Sequence, residues 1–192
     1  MRSPRATRPH IALVGRRNVG KSSLLNSLTD QACAIVSELP GTTTDPVFRS
    51  MELHGVGPVV FIDTAGLDDD GSVGTDRVRR TRAVLERTDL ALLVCTSVCW
   101  HTLEEQLLEQ LVERSVPTVV VINKSDLSGH SASLAKTLAR RSIPLAETSA
   151  LHCEGLEELR AQVSERLQEH ALGPAVIAAD LVGARELAVL VD

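Results

Sequence analysis

The chain has 192 residues, enough for one full domain and the start of another, and 43% of them are hydrophobic although only 2% are aromatic. The formal net charge of −5 argues against a large nucleic-acid interface, which needs a basic face, and no apolar run is long enough to cross a bilayer. The N-terminus carries arginines but no hydrophobic signal core. We therefore expect a cytoplasmic protein with no membrane and no nucleic-acid partner.

The first half of the chain alternates between strand and helix patterns. Residues 11–14 form an apolar strand, and a leucine-lined helix follows at residues 24–28. A polar loop over residues 30–46 precedes two strands at 47–53 and 58–63, which are joined closely enough to form a hairpin. This pairing predicts one antiparallel edge in the sheet.

The second half continues the alternation. A helix with a partly apolar face is predicted at about 76–86, and residues 90–95 form the continuous apolar run of a strand buried on both sides. Further strands are predicted at 117–122 and 144–146. Helices are predicted around Leu103, Leu107 and Leu111, over 131–140, and around Leu156, Leu159, Val163 and Leu167. The pattern predicts an α/β fold with a mostly parallel six-stranded sheet, one antiparallel edge hairpin and helices on both faces.

The last residues do not fit this alternation. Gly173 and Pro174 end the last helix, and the apolar segment after them ends in a strand-like run at 187–191. We expect one domain over 1–170, with 171–192 either starting a truncated second domain or pairing with another subunit. A hydrophobic strand of this kind needs a partner, because an uncovered edge invites aggregation.

The segment Gly-Arg-Arg-Asn-Val-Gly-Lys-Ser at 15–22 is a phosphate-binding loop between a strand and a helix. Its glycines allow the tight turn, Lys21 would reach the β- and γ-phosphate oxygens, and Ser22 would bind Mg²⁺. The predicted nucleotide contacts of this loop are Gly15, Asn18, Val19, Gly20, Lys21, Ser22 and Ser23.

The base would be selected by Asn123-Lys124-Ser125-Asp126, directly after an apolar strand. A carboxylate only accepts hydrogen bonds, so Asp126 matches the two adjacent N–H donors of guanine and leaves an oxygen unpaired against adenine. Asn123 would tie this loop to the phosphate loop, and Lys124 would lie along the purine face. Main-chain N–H groups of Ser149 and Ala150 would support the base from a third loop.

Two further segments would complete the phosphate and metal site. Asp63, at the end of a strand, is placed to hold Mg²⁺ through water, and Gly66 to donate its N–H to the γ-phosphate. The segment Gly-Thr-Thr-Thr-Asp at 41–45 supplies a threonine hydroxyl for the same metal, and Thr42 and Thr43 are its predicted nucleotide contacts. Each motif alone could be an ordinary polar turn, but five in order at strand ends predict a GTP-binding P-loop NTPase of the Ras-like G-domain fold.

In these motifs the chain resembles the TrmE-Era-EngA group of GTPases. Leu67 follows Gly66 where Ras-like enzymes have a water-orienting glutamine, and Arg17 replaces a glycine where an arginine finger would approach. The resemblance implies instead a K⁺ ion at Asn18, and Mg²⁺ at Ser22 and Thr43. The other K⁺ ligands implied by the resemblance are Ser37, Leu39 and Thr42, mostly through main-chain oxygens. The implied catalytic residues are Lys21, Asn18, Thr43 and Gly66.

Within that group the chain is most similar to the HydF maturation GTPases of [FeFe]-hydrogenase, through Pro-Gly-Thr-Thr-Thr-Asp-Pro-Val at 40–47 and Asp-Thr-Ala-Gly-Leu-Asp-Asp at 63–69. This resemblance implies slow, potassium-stimulated hydrolysis of GTP to GDP, a homodimer, and maturation proteins and hydrogenase as partners. A [4Fe-4S] cluster would belong only to a C-terminal domain that this sequence does not contain. The alternatives are an RNA-directed GTPase of tRNA modification or ribosome assembly, and a nucleotide-held switch with negligible turnover.

Overall fold

The computed structural model describes residues 8–29, 47–53, 56–63, 84–97, 100–127 and 132–170. Six strands lie in these ranges: β1 His10–Val14, β2 Val47–Leu53, β3 Gly57–Asp63, β4 Leu90–Cys95, β5 Thr118–Asn123 and β6 Leu145–Thr148. The helices are α1 Lys21–Leu28, α2 Thr102–Glu113, α3 Ala132–Arg140 and α4 over residues 156–170.

The strands form one sheet in the order β2-β3-β1-β4-β5-β6. Only the β2–β3 pair is antiparallel, and each of the other neighbours runs parallel. The chain proceeds from β1 to β3 on one side and then crosses to β4 on the other side of β1. Ligands of such sheets bind beyond the carboxyl ends of the strands at this change of direction.

The sheet is covered on both faces, because successive side chains of a strand point to opposite sides. Ile11 and Leu13 of β1 pack in a buried cluster with residues of α1 and α4. Ala12 and Val14 pack in a second cluster with residues of α2 and α3. Both β4 and β5 are buried along their whole length, which explains why they lack polar alternation.

The predicted fold is confirmed, including the edge hairpin and the six strands. Strand boundaries shift by one or two residues; the strand expected at 144–146, for example, is Leu145–Thr148. The buried face of α2 differs slightly from the predicted one, which contained Leu103, Leu107 and Leu111. Leu108 and Leu111 are buried, whereas Leu107 is only partly buried.

Some sequence predictions lie outside the described residues. They include most of the helix expected at 76–86 and the segment 171–192, with its expected second domain. None of the helices in the described ranges combines the length and hydropathy that a bilayer crossing requires.

Candidate nucleotide-binding site

The phosphate loop connects the end of β1 to the start of α1 and lines a cavity of about 530 Å³. The lining residues are Arg17, Asn18, Gly20, Lys21, Ser22, Ser23 and Lys124. Helix α1 has no acidic residue in its first turn, so no carboxylate of the helix itself opposes an anion at its positive end. The cavity thus combines a helix N-terminus with cationic side chains, which suits a phosphate group.

Both glycines of the phosphate loop lie where a side chain would clash with a neighbouring part of the chain. Gly15 has φ +143°, and a Cβ there would lie 2.0 Å from the carbonyl oxygen of Val94. Gly20 has φ +92°, and a Cβ there would lie 2.4 Å from Nδ2 of Asn123. The first glycine lets the loop pack against β4, and the second lets the base-binding loop reach the phosphate loop.

Lys21, the first residue of α1, is 4% exposed. Its Nζ donates to the carbonyl oxygens of Gly15, at 2.6 Å, and Arg16, at 2.8 Å. The loop therefore curls around the ammonium group of a lysine that lines the cavity. A phosphate oxygen arriving there would meet a cation that is already in place.

Ser22 and Asp63 meet although they are far apart in sequence. The Ser22 hydroxyl donates to Oδ2 of Asp63 at 2.8 Å, and Asp63 is 6% exposed at the end of β3. These are hard oxygen donors of the kind that Mg²⁺ prefers, and it usually takes one or two protein ligands besides phosphates and water. The pair therefore fits the magnesium role expected from the sequence. Within the described ranges, no group of three or more His, Cys, Asp or Glu side chains is placed to hold a metal ion by itself.

Asn123 joins the three nucleotide loops. Its side chain is buried, and Nδ2 donates to the carbonyl oxygen of Val19 in the phosphate loop at 2.9 Å. Its Oδ1 accepts from the Ala150 N–H at 3.1 Å and from the Thr148 hydroxyl at 3.3 Å. One amide thus sets the distance between the loops that would hold the phosphates and the base.

Asp126 is exposed at the far end of the same loop and accepts a hydrogen bond from the Ser149 hydroxyl at 2.6 Å. This bond is the main reason that the pKa of Asp126 lies below its ordinary value, and it outweighs the opposing effect of desolvation. Asp126 is therefore an ionised acceptor at neutral pH. Its orientation is set by Ser149, which is fully buried.

The third loop differs from the sequence prediction. The Ser149 N–H donates to the carbonyl oxygen of Glu154, and the Ala150 N–H donates to Asn123. Neither N–H is therefore directed at a base in this structure, since the Ser149 N–H closes the loop on itself and the Ala150 N–H joins it to the end of β5. The loop instead contributes the Ser149 hydroxyl.

Lys124 extends across the cavity toward the phosphate loop, where its Nζ donates to the carbonyl oxygen of Asn18 at 2.8 Å. Both residues have positive φ, 61° and 62°. The lysine stem thus crosses between the two loops, in the region where the purine face was expected. The Asn18 side chain is exposed and lines the cavity.

The remaining predicted site residues lie outside the described residues, so the structure does not place them. They are Ser37, Leu39, Thr42, Thr43 and Gly66. Of the expected Mg²⁺ residues only Ser22 and Asp63 are described, and of the expected K⁺ ligands only Asn18.

Sequence reasoning missed one contact of the site. Glu104, on α2, is buried and forms an ion pair with Arg16 of the phosphate loop, with Nε and Oε1 2.6 Å apart. The sequence shows a glutamate in the first turn of a predicted helix and an arginine beside Gly15. Because these positions are 88 residues apart, no local pattern indicates that they pair.

The family model of the 50S ribosome-binding GTPases matches residues 10–124. The chain is 42% identical over 159 residues to the tRNA modification GTPase MnmE of Chromobacterium violaceum, covering 82% of this chain and 34% of the relative. It is 41% identical to that of Koribacter versatilis, covering 80% and 33%. The chain thus spans about a third of the length of these curated relatives.

Solved structures agree with this fold. The G domain of the FeoB iron transporter of T. maritima has a TM-score of 0.65 and 28% identity, covering 83% of this chain and 99% of that one. An Era variant of Aquifex aeolicus bound to GDP and AlF4⁻ has a TM-score of 0.64 and 27% identity, covering 83% and 57%.

Proposed function

This chain belongs to the family of 50S ribosome-binding GTPases, and from that premise we propose that it is the GTP-hydrolysing domain of a tRNA-modification GTPase. The chain itself is a GTP-binding GTPase. The observation that carries the nucleotide assignment is the Asn123 amide, which ties the phosphate loop to the loop bearing Asp126. This arrangement holds the phosphate site and a guanine-reading carboxylate at a set distance.

The tRNA-modification role has better support than the HydF interpretation, because the relatives described above carry the name tRNA modification GTPase. Hydrogenase and its maturation proteins have no comparable support as partners. The proposed role also runs against the expectation of no nucleic-acid partner, which rested on a net charge of −5. The net charge of −5 describes this chain alone, whereas the tRNA modification GTPases that it resembles are about three times as long.

A domain exchange tests the role. The matched region of the Chromobacterium violaceum relative is replaced by this chain, and tRNA modification is measured in cells that lack the native protein. We expect the chimera to restore modification and its Lys21→Ala version not to. A chimera that hydrolyses GTP but leaves tRNA unmodified would contradict the tRNA role, and hydrogenase activation by the equivalent HydF chimera would support the alternative.

Within the site, we infer a separate role for each of the described residues. Lys21 faces the β- and γ-phosphate oxygens, where negative charge develops during hydrolysis. Ser22 and Asp63 would hold Mg²⁺, which when bound neutralises phosphate charge. Asp126 accepts from guanine, with its orientation set by Ser149.

Asn18 is our proposed K⁺ ligand. Its side chain lines the cavity beside the phosphate loop, and amide oxygen is a suitable donor for a monovalent cation. A bound K⁺ would supply positive charge to the phosphates, which this sequence needs because it has Leu67 in place of a water-orienting glutamine. GTPase rates in potassium and in sodium at equal ionic strength should differ severalfold, and Asn18→Ala should remove most of the difference while nucleotide binding remains. Equal rates for the unaltered protein in both salts would exclude this role.

A further inference from the structure

An ion pair with a buried carboxylate and a partly exposed guanidinium joins the phosphate loop to the start of α2. Nε of Arg16 lies 2.6 Å from Oε1 of Glu104, and Nη2 donates to Oε2 at 3.3 Å. The Glu104 side chain is 0% exposed, whereas that of Arg16 is 38% exposed. A two-point contact fixes the orientation of the guanidinium as well as its distance.

Glu104 also organises the beginning of its own helix. Its Oε2 accepts from the main-chain N–H of His101 at 3.0 Å, as in a capping box. The carboxylate lies in the first helical turn, where the helix dipole favours negative charge. The same side chain therefore holds the N-terminus of α2 and the phosphate loop.

Arg16 contacts both Glu104 and Lys21, the first through its side chain and the second through its main-chain carbonyl. Its side chain is held by Glu104, and its carbonyl oxygen accepts from Nζ of Lys21 at 2.8 Å. While the guanidinium stays on Glu104, the Arg16 main chain can move only over a limited range, and this restricts the position of the carbonyl that accepts from Lys21. One of the two carbonyls that accept from Lys21 thus belongs to a residue whose side chain is held by α2, at a position that does not line the cavity.

We propose that Glu104 is a positioning residue for Lys21, acting through Arg16, and that this pair couples nucleotide binding in the phosphate loop to the start of α2. The inference rests on the GTPase activity of the site and not on the proposed tRNA-modification role. When Lys21 moves from the Arg16 carbonyl toward phosphate oxygens, the Arg16 main chain loses its hydrogen bond to Lys21 while the side chain remains on Glu104. The change would be transmitted to Glu104 and the helix start.

Trp100 provides a reporter at that helix start. It is the only tryptophan of the chain, and its Nε1 donates to Oε1 of Glu105 at 3.0 Å. It precedes the helix N-cap, His101, and packs partly buried against the second hydrophobic cluster. A shift at the start of α2 should therefore change its fluorescence.

The test compares Glu104→Gln with the unaltered protein and with Glu109→Gln, the same change at an exposed position of α2. Steady-state hydrolysis of GTP, thermal unfolding and Trp100 emission with and without GDP are measured. For Glu104→Gln we expect kcat to fall roughly 10-fold with KM within about 3-fold, because Lys21 acts mainly on charge that develops in the transition state. We also expect the GDP-dependent change in Trp100 emission to disappear, while Glu109→Gln keeps both properties.

Arg16→Lys keeps a positive charge beside Glu104 but removes the two-point contact, so it decides the question if Glu104→Gln fails to fold. We expect it to lower kcat with little change in the unfolding temperature. The inference is overturned if a folded Glu104→Gln protein, or Arg16→Lys in its place, retains the kcat and the Trp100 response of the unaltered protein. An unaltered protein that does not hydrolyse GTP would instead refute the GTPase activity on which the inference rests.

Discussion

Replacement of Asn123 by alanine should disconnect the loops of the site. The amide makes three hydrogen bonds, to the Val19 carbonyl, the Ala150 N–H and the Thr148 hydroxyl. At about 1 kcal/mol net for each bond, the free energy of unfolding should fall by about 3 kcal/mol. The affinity for GTP should fall as well, by at least about 10-fold, because binding must then restore the spacing between the loops.

The assay is urea denaturation of the nucleotide-free protein together with calorimetric titration of GTP. Thr148→Val is the graded control, because it removes only the longest of the three bonds, at 3.3 Å. It should cost at most about 1 kcal/mol and leave the affinity within about 3-fold. A loss below about 1 kcal/mol for Asn123→Ala, with unchanged affinity, would refute the view that this amide holds the loops together.

Asn123→Asp tests the donor role of the Asn123 amide through the pH dependence of stability. The substitution keeps an acceptor at Oδ1 but places a second carboxylate oxygen where Nδ2 lies 2.9 Å from the Val19 carbonyl. Burial and this repulsion should raise the pKa of the new carboxyl above its unfolded value. The variant should therefore be least stable above that raised pKa and should recover stability as the pH falls through it and the protonated group donates again. Denaturation at several pH values would reveal this slope, and a pH-independent loss would contradict it.

Further predictions concern the base and the phosphates. Asp126→Asn should weaken GTP binding and favour xanthine nucleotides, whose C2 carbonyl accepts from an amide; competition titrations measure this, and equal affinity of the unaltered protein for ATP and GTP would refute guanine recognition. Because the Ser149 hydroxyl lowers the pKa of Asp126, the stabilisation it gives is present at neutral pH and lost as the pH falls through the lowered value. Ser149→Ala should raise that pKa in an NMR titration, and an unchanged value would exclude this cause. Lys21→Ala and Ser22→Ala should each cost at least 10- to 100-fold in affinity or turnover, and retained hydrolysis in both would place the active site elsewhere.

Local patterns in the sequence predicted most of the fold. The apolar run at 90–95 and the hairpin around 54–57 set strand positions, because burial and turn chemistry act over a few residues. The phosphate loop and the Asn-Lys-Ser-Asp segment predicted the site for a similar reason. Parallel strands bring their carboxyl ends to one edge, so motifs that follow strands converge without further information.

Only the tertiary structure decided which side chains meet within that site. The sequence suggested that the N–H groups of Ser149 and Ala150 face a base, but the fold closes them on Glu154 and Asn123. Glu104 had the sequence context of a solvated carboxylate in a first helical turn, yet packing buries it against Arg16, 88 residues away. Motif and periodicity describe neighbours along the chain, whereas the desolvation and pairing of a charge depend on the elements that the fold places around it.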